Sequence, residues 1–218
     1  MRQLRLSNCA QSPSLKMIDR DLKLIFVHIQ KTGGMAISRA LGGIDHPPEK
    51  HRTALELREI YGEAFWNQCT KLAFVRNPWD RLVSWWSMID GRRDQVRVSQ
   101  SRNAFFNYVL ENATSFEEFL FNCQDEIHDK DGHKWIFRNQ LDYLLDERGE
   151  LMVDFIGRFE RLEEDFKTFT SKYLNRTYSV SKINASNHSR YQTYYTSETR
   201  LLVANAYKKD IDTFGYTF

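Results

Sequence analysis

The chain has 218 residues, 41% of them hydrophobic, with a formal net charge of +2. That length and balance suit one α/β domain with a full-sized core and exclude a disordered or low-complexity chain. A charge so near neutrality gives no general attraction to nucleic acid or an anionic membrane, so any anion site must come from local placement of basic side chains. Three widely spaced cysteines, Cys9, Cys69 and Cys123, match neither a disulfide framework nor a zinc site and point to a reducing compartment. The opening residues from Met1 to Ser7 carry no apolar signal core, and no apolar run reaches membrane-span length. A soluble, cytoplasmic protein is the expectation.

In chain order, residues 1–20 are polar and read as a loose lead-in to a single domain over 21–218. From Leu22 to Leu41 the chain runs as a short apolar strand, a Lys31-Thr32-Gly33-Gly34 turn and a short helix closed by Gly42-Gly43. A strand, glycine turn and helix start present free backbone N–H groups and a positive dipole end to a ligand. Lys31 adds a charge and Thr32 a hydroxyl. The unit reads as a phosphate or sulfate site, against the plainer possibility of a tight turn with an exposed lysine. It is not an ATP or GTP loop, because Lys-Thr here precedes the glycines instead of following them.

Ile44 to Arg52, with Pro47-Pro48, reads as a loop, and Thr53 with Glu56 has capping-box spacing for a helix from Ala54 to Tyr61. Lys71 to Val75 is a second buried strand ending at Arg76. Asn77, Pro78 and Asp80 then open a helix whose apolar face is Trp79, Leu82, Val83, Trp86 and Ile89, with Arg81 and Ser84 off that face. Gly91 to Asn112, rich in arginine, reads as a solvated excursion in preference to an acceptor-facing basic patch. Ser115 and Glu118 form another capping box, before a face of Phe116, Phe119, Leu120 and Cys123. Gln124 to Gly132 reads as a charged loop, Tyr143 to Val153 as a short hairpin, and Val153 to Phe159 as a third strand. Helices follow over Glu160 to Leu174 and Glu198 to Lys209, separated by a stretch with few structural signals. Successive strand–helix units predict a parallel sheet flanked by helices, with ligands beyond the carboxyl ends of its strands.

Lys31-Thr32 and Arg76 both fall at those ends, one cation and one helix start at each, which suits a ligand with two separate anionic groups. No Asp closes either strand where a magnesium-holding carboxylate would stand, so a metal-free anionic donor is preferred to a nucleoside triphosphate.

At these residues the chain resembles the sulfotransferases, in the carbohydrate branch that includes the heparan sulfate 6-O-sulfotransferases and bacterial relatives. The segment from Phe26 to Gly34 is similar to that family's 5′-phosphosulfate loop. The segment from Phe74 to Ser84 is similar to its 3′-phosphate signature, with Arg76 and Ser84 as the phosphate contacts. The stretches from Phe155 to Leu162 and from Asp210 to Tyr216 also resemble family blocks. The resemblance covers Leu22 to Phe218 and implies a P-loop-like α/β sulfotransferase fold. It implies 3′-phosphoadenosine 5′-phosphosulfate (PAPS) as donor, PAP as product, no metal, and a hydroxyl or amine acceptor, a sugar hydroxyl by default. The donor contacts it implies are Lys31, Thr32, Gly33, Gly34, Met35, Ala36, Arg76, Ser84 and Arg190.

For in-line transfer, Lys31 would stabilise charge on the leaving phosphate and a general base would take the acceptor proton. His51 is the chosen base, on the loop before a capped helix, as in relatives, and His133 is the runner-up. His46 and His128 read as surface residues and His28 as a packed strand residue. His133, Arg138 and Gln140 are candidates for the acceptor side. Two other classes stay open: a nucleotide-dependent kinase, which requires magnesium, and a non-catalytic PAP-binding protein of the same fold.

Overall fold

The computed structural model describes residues 18–42, 50–94, 104–129, 132–180 and 190–218. Readings that rest on Cys9, Gly43, His46, Pro47, Pro48, Arg97, Arg102 and His188, or on the His133 side chain, lie outside it.

At the centre is a sheet of β1 (Ile18–Asp19), β2 (Leu24–Val27), β3 (Thr70–Val75) and β6 (Phe155–Arg158), in the order β1-β2-β3-β6. The pairs β2–β3 and β3–β6 are parallel, as the sequence predicts, and β1 pairs antiparallel with β2. That edge strand lies inside the expected loose lead-in. Asp19 Oδ1 fixes the turn after it by accepting from the amides of Asp21 and Leu22, each at 3.0 Å.

Strand alternation decides the layers. Leu24, Phe26, Leu72 and Phe74 face one side, where they pack with α1 (Gly34–Ala40) and α7 (Leu162–Leu174). Ile25, Val27, Ala73 and Val75 face the other, against α2 (Ala54–Tyr61), α3 (Glu63–Gln68) and Tyr143. A separate cluster joins α4 (Pro78–Asp90), α5 (Ala104–Asn112), α6 (Phe116–Asn122) and Tyr207.

Helix starts follow the sequence closely. Glu56 N donates to Thr53 Oγ1 at 3.1 Å and Thr53 N to Glu56 Oε2 at 2.7 Å, closing the predicted box on α2. Asn77 Oδ1 caps α4 through Trp79 N at 3.1 Å. Before α6 the Ser115 side chain accepts from Glu118 N, but Glu118 returns its carboxylate to Thr114, so the box is only half closed.

Three expectations are corrected. The excursion from Gly91 to Asn112 contains α5, whose Phe105, Phe106 and Val109 are buried; Phe105 lies 5.0 Å from Trp85, ring to ring. The charged loop from Gln124 to Gly132 contains β4 (Ile127–Asp129), which pairs antiparallel with β5 (Gly132–Lys134). The last helix is two, α8 (Ser197–Ala206) and α9 (Lys208–Phe214), broken at Tyr207, which is fully buried with its hydroxyl bonded to the Ile136 carbonyl.

The turn after β2 depends on two glycines. Gly33 has φ of +83°, a conformation that costs a side-chain-bearing residue strain. A Cβ on Gly34 would lie 2.0 Å from the His28 ring, so His28 fits only over bare backbone. Gly34→Ala is therefore expected to destabilise the fold by about 1–3 kcal/mol, a cost typical of overpacking. Urea denaturation measures it, and a midpoint equal to that of the wild type would show that the ring gives way freely.

Candidate active site

The sheet register brings the two basic motifs together. Val27 pairs with Ala73, so continuing both strands three residues sets Gln30 level with Arg76. Arg76 Nη1 then donates to the Lys31 carbonyl at 3.1 Å, linking the loop after β2 to the end of β3. Arg76 Nε is paired with Asp80 Oδ2 at 2.7 Å, and the guanidinium lies 4.0 Å over the Phe159 ring. Its backbone is clasped by Gln140, which accepts from Arg76 N and donates to Arg76 O, both at 2.8 Å. Asp210 Oδ2 holds Gln140 in turn, through its backbone N at 2.8 Å and Nε2 at 3.0 Å. Gln140 is thus not an acceptor-facing residue. It is fully buried and its amide is spent on positioning Arg76.

In the first loop, Thr32 is fully buried and donates from Oγ1 to the Ile29 carbonyl at 2.9 Å. Ala36 N is the first amide of α1 to return a bond, to Gly33 O at 3.0 Å, so the amides before it have no intrahelical acceptor. Lys31 has φ of +69°, an uncommon conformation for a non-glycine residue. Its Nζ rests 3.4 Å from Met88 Sδ. Burial pushes the Lys31 amine down to about 7, and Arg76, Arg92 and Lys50 press it in the same direction. Around the loop, Ala36 is buried, Met35 is half-buried with Lys50 Nζ 3.3 Å from its sulfur, and Ser84 is buried on α4.

His51 adopts φ of +72° and meets the His28 ring edge-on, with centroids 4.8 Å apart. Its Nδ1 is buried and lacks a hydrogen-bond partner among the described residues. Burial holds its pKa well below the ordinary imidazole value, aided by His28, Lys50, Lys134 and Arg81. His28 is buried, stacked on Phe26 and held neutral to about pH 3, mainly by burial, which agrees with a packing role. Lys134, at the end of β5, is also buried, and its charge presses on His51 in the same direction.

The remaining candidates are more dispersed. Arg138 lies 4.4 Å over the Tyr143 ring and gives its carbonyl to Arg81. The backbone of His133 pairs with His128 across the hairpin. Arg190 is exposed, although the Tyr191–Tyr194 turn after it reaches the second motif, where Asn77 Nδ2 donates to the Tyr191 hydroxyl at 3.3 Å.

Sequence reasoning passed over Arg81, Gln30 and Tyr143. Arg81 is fully buried. Its Nε donates to Gln30 O at 2.9 Å, and its Nη1 to Arg138 O at 3.1 Å and to the Tyr207 hydroxyl at 3.0 Å. Tyr143 donates its hydroxyl to Gln30 Oε1 at 2.5 Å. The one signal for Arg81 was a cation set among the tryptophans of an otherwise apolar helix, since a buried charge must have fixed partners.

The site is therefore a cluster of cations and backbone amides at the carboxyl ends of β2 and β3, with a neutral imidazole beside it. Comparison with known proteins agrees with that chemistry. The chain is 26% identical over 197 residues to the human protein named carbohydrate sulfotransferase 9, an alignment covering 77% of this chain and 42% of the relative. It thus spans about two fifths of the length of that relative. The pattern of the Sulfotransferase family matches residues 15–217, and the chain belongs to that family.

Proposed function

We propose that this chain transfers a sulfuryl group from PAPS to a hydroxyl of a carbohydrate acceptor, in line, with His51 as general base. The observation that carries the reading is the Arg76–Lys31 link, which sets the two cationic motifs side by side with His51 close to the first. The name of the human relative supports a carbohydrate acceptor.

In this reading the amides of Gly33, Gly34 and Met35, with Lys31 and Thr32, hold the 5′-phosphosulfate, while Ala36, whose amide is bonded to the Gly33 carbonyl, lines the loop. Arg76 Nη2 and Ser84 hold the 3′-phosphate, since Arg76 Nε and Nη1 are committed to Asp80 and the Lys31 carbonyl. Arg190 would close over the same phosphate. The acceptor oxygen attacks sulfur, the bond from sulfur to the bridging oxygen breaks, and PAP departs with the electron pair. Lys31 stabilises the charge gathering there. The acceptor proton passes to His51, with His133 the second candidate and Arg138 on the acceptor side.

The electrostatics suit this order of events. Burial and the neighbouring cations press Lys31 and His51 toward their neutral forms. A polyanionic donor supplies the missing counter-charge, which raises the affinity of both groups for protons. Lys31 then becomes fully charged as the leaving group needs it, and His51 becomes a stronger base.

PAP is expected to raise the melting temperature in excess EDTA, and ATP with magnesium to give no comparable shift; the reverse result would favour a kinase. Arg76→Ala should weaken PAP by roughly 1.5–3 kcal/mol, the value of a charged hydrogen bond. Unchanged PAP affinity in titration calorimetry would remove Arg76 from the 3′-phosphate site.

Proton linkage gives a second test. Free Lys31 titrates near 7, and a bound anion raises that value, so PAP binding at pH 7–8 should take up protons. Calorimetry in buffers of different ionisation enthalpy reads the uptake, and net release would contradict the role of Lys31.

His51→Ala should slow transfer by about 10²-fold or more, within the range for a lost general base, and leave PAP affinity nearly intact. An active His51→Ala enzyme would move the base to another residue, His133 first.

A further inference from the structure

Among the described residues, four buried side-chain nitrogens have no hydrogen-bond partner: Gln30 Nε2, His51 Nδ1, Arg81 Nη2 and Trp85 Nε1. Unpaired buried polar atoms are rare and each needs an explanation. Three of them, Gln30, Arg81 and His51, share one neighbourhood, while the Trp85 ring packs against Phe105. Arg81 bonds the Gln30 carbonyl, Trp85 lies one turn beyond Arg81 on α4, and His51 feels the charge of Arg81. The α4 stripe of Arg81, Ser84, Trp85 and Met88 runs beside the first loop, since Met88 touches Lys31 Nζ.

Gln30 and Arg81 are the informative pair. Both are almost wholly buried, at 3% and 0% exposure. The Tyr143 hydroxyl donates to Gln30 Oε1, which leaves Nε2 as the open end of the amide. Arg81 Nε and Nη1 are committed, which leaves Nη2. Two unpaired donors, one on the residue before Lys31 and one on the guanidinium that bonds that residue's carbonyl, suit an oxygen-rich, electron-rich group.

We propose that Gln30 Nε2 and Arg81 Nη2 donate hydrogen bonds to the non-bridging oxygens of the sulfuryl group in flight, holding it for in-line attack. This rests on the sulfotransferase reading above. Sulfur changes one oxygen partner for another, its non-bridging oxygens keep these two donors throughout, and the acceptor proton still passes to His51.

PAP lacks the sulfuryl group, so the test is the ratio of PAPS to PAP affinity, measured by calorimetry without acceptor. Gln30→Met should weaken PAPS by about tenfold or more, as expected for a lost hydrogen bond to a charged group, with PAP held within about twofold; the melting temperature should fall, because the Tyr143 hydroxyl also loses its acceptor. Equal losses for both nucleotides, or none, overturn the proposal and leave the two nitrogens as water-binding or structural groups. If Gln30→Met fails to fold, Gln30→Glu keeps the oxygen that Tyr143 needs and is read by the same ratio. A wild-type protein that binds neither nucleotide overturns the donor assignment itself, an outcome distinct from an unchanged ratio.

Discussion

The buried Arg81 guanidinium is the constraint on which the rest of the site depends. It stands on the helix after β3, yet its bonds reach the residue before Lys31, the carbonyl of Arg138 and the hydroxyl of Tyr207. Three separated parts of the chain are thereby fixed to one rigid planar group on α4. No carboxylate bonds it directly among the described residues. Its charge is met by carbonyl and hydroxyl oxygens, an arrangement that tolerates little displacement because a dry, unpaired guanidinium is costly. A second clasp complements it: Asp210 holds Gln140, and Gln140 holds the backbone of Arg76. Both clasps tie the carboxyl-terminal helices to the β3 end, which explains how residues far apart in sequence keep one geometry.

Local strain accompanies this rigidity. Lys31 and His51 both carry positive φ, and both are central to the proposed chemistry. Such conformations persist only where the surroundings over-determine them. For Lys31 those surroundings are the Arg76 bond to its carbonyl and the glycine turn that follows. For His51 they are the capped start of α2 and the edge of the His28 ring, which itself lies over Gly34. Lys31 and His51 are thus linked through His28 and the loop backbone.

The electrostatic design follows from the same packing. Gathering Lys31, Lys50, Arg76, Arg81 and Lys134 around a little-hydrated site makes charge unfavourable at the two titratable groups that matter. Burial is the larger cause for both, and neighbouring cations add to it. An anion relieves the second effect at once and the first in part, by offering a partner inside the low-dielectric site. In the proposed reaction, affinity and activation would be one event, because the counter-charge that binds the donor would also restore the charge of Lys31 and the basicity of His51.

The local elements were legible in the sequence. The caps of α2 and α4, the strands at β2, β3 and β6, and the two basic ends that mark the family all follow from short-range rules. Turn chemistry, alternation and helix caps act within a few residues. What only the tertiary structure decided was the burial of polar residues and the folding of weakly patterned stretches. Gln140 reads as an ordinary polar residue until Arg76 and Asp210 are placed around it, and Arg81 as a residue merely off an apolar face until the first loop covers it. The helix Ala104–Asn112 and the hairpin of Ile127–Asp129 with Gly132–Lys134 were hidden for a related reason. Each is short and bordered by charge, so its stability comes from packing on α4 and on its own partner strand, and such long-range contacts leave no periodic mark in the chain.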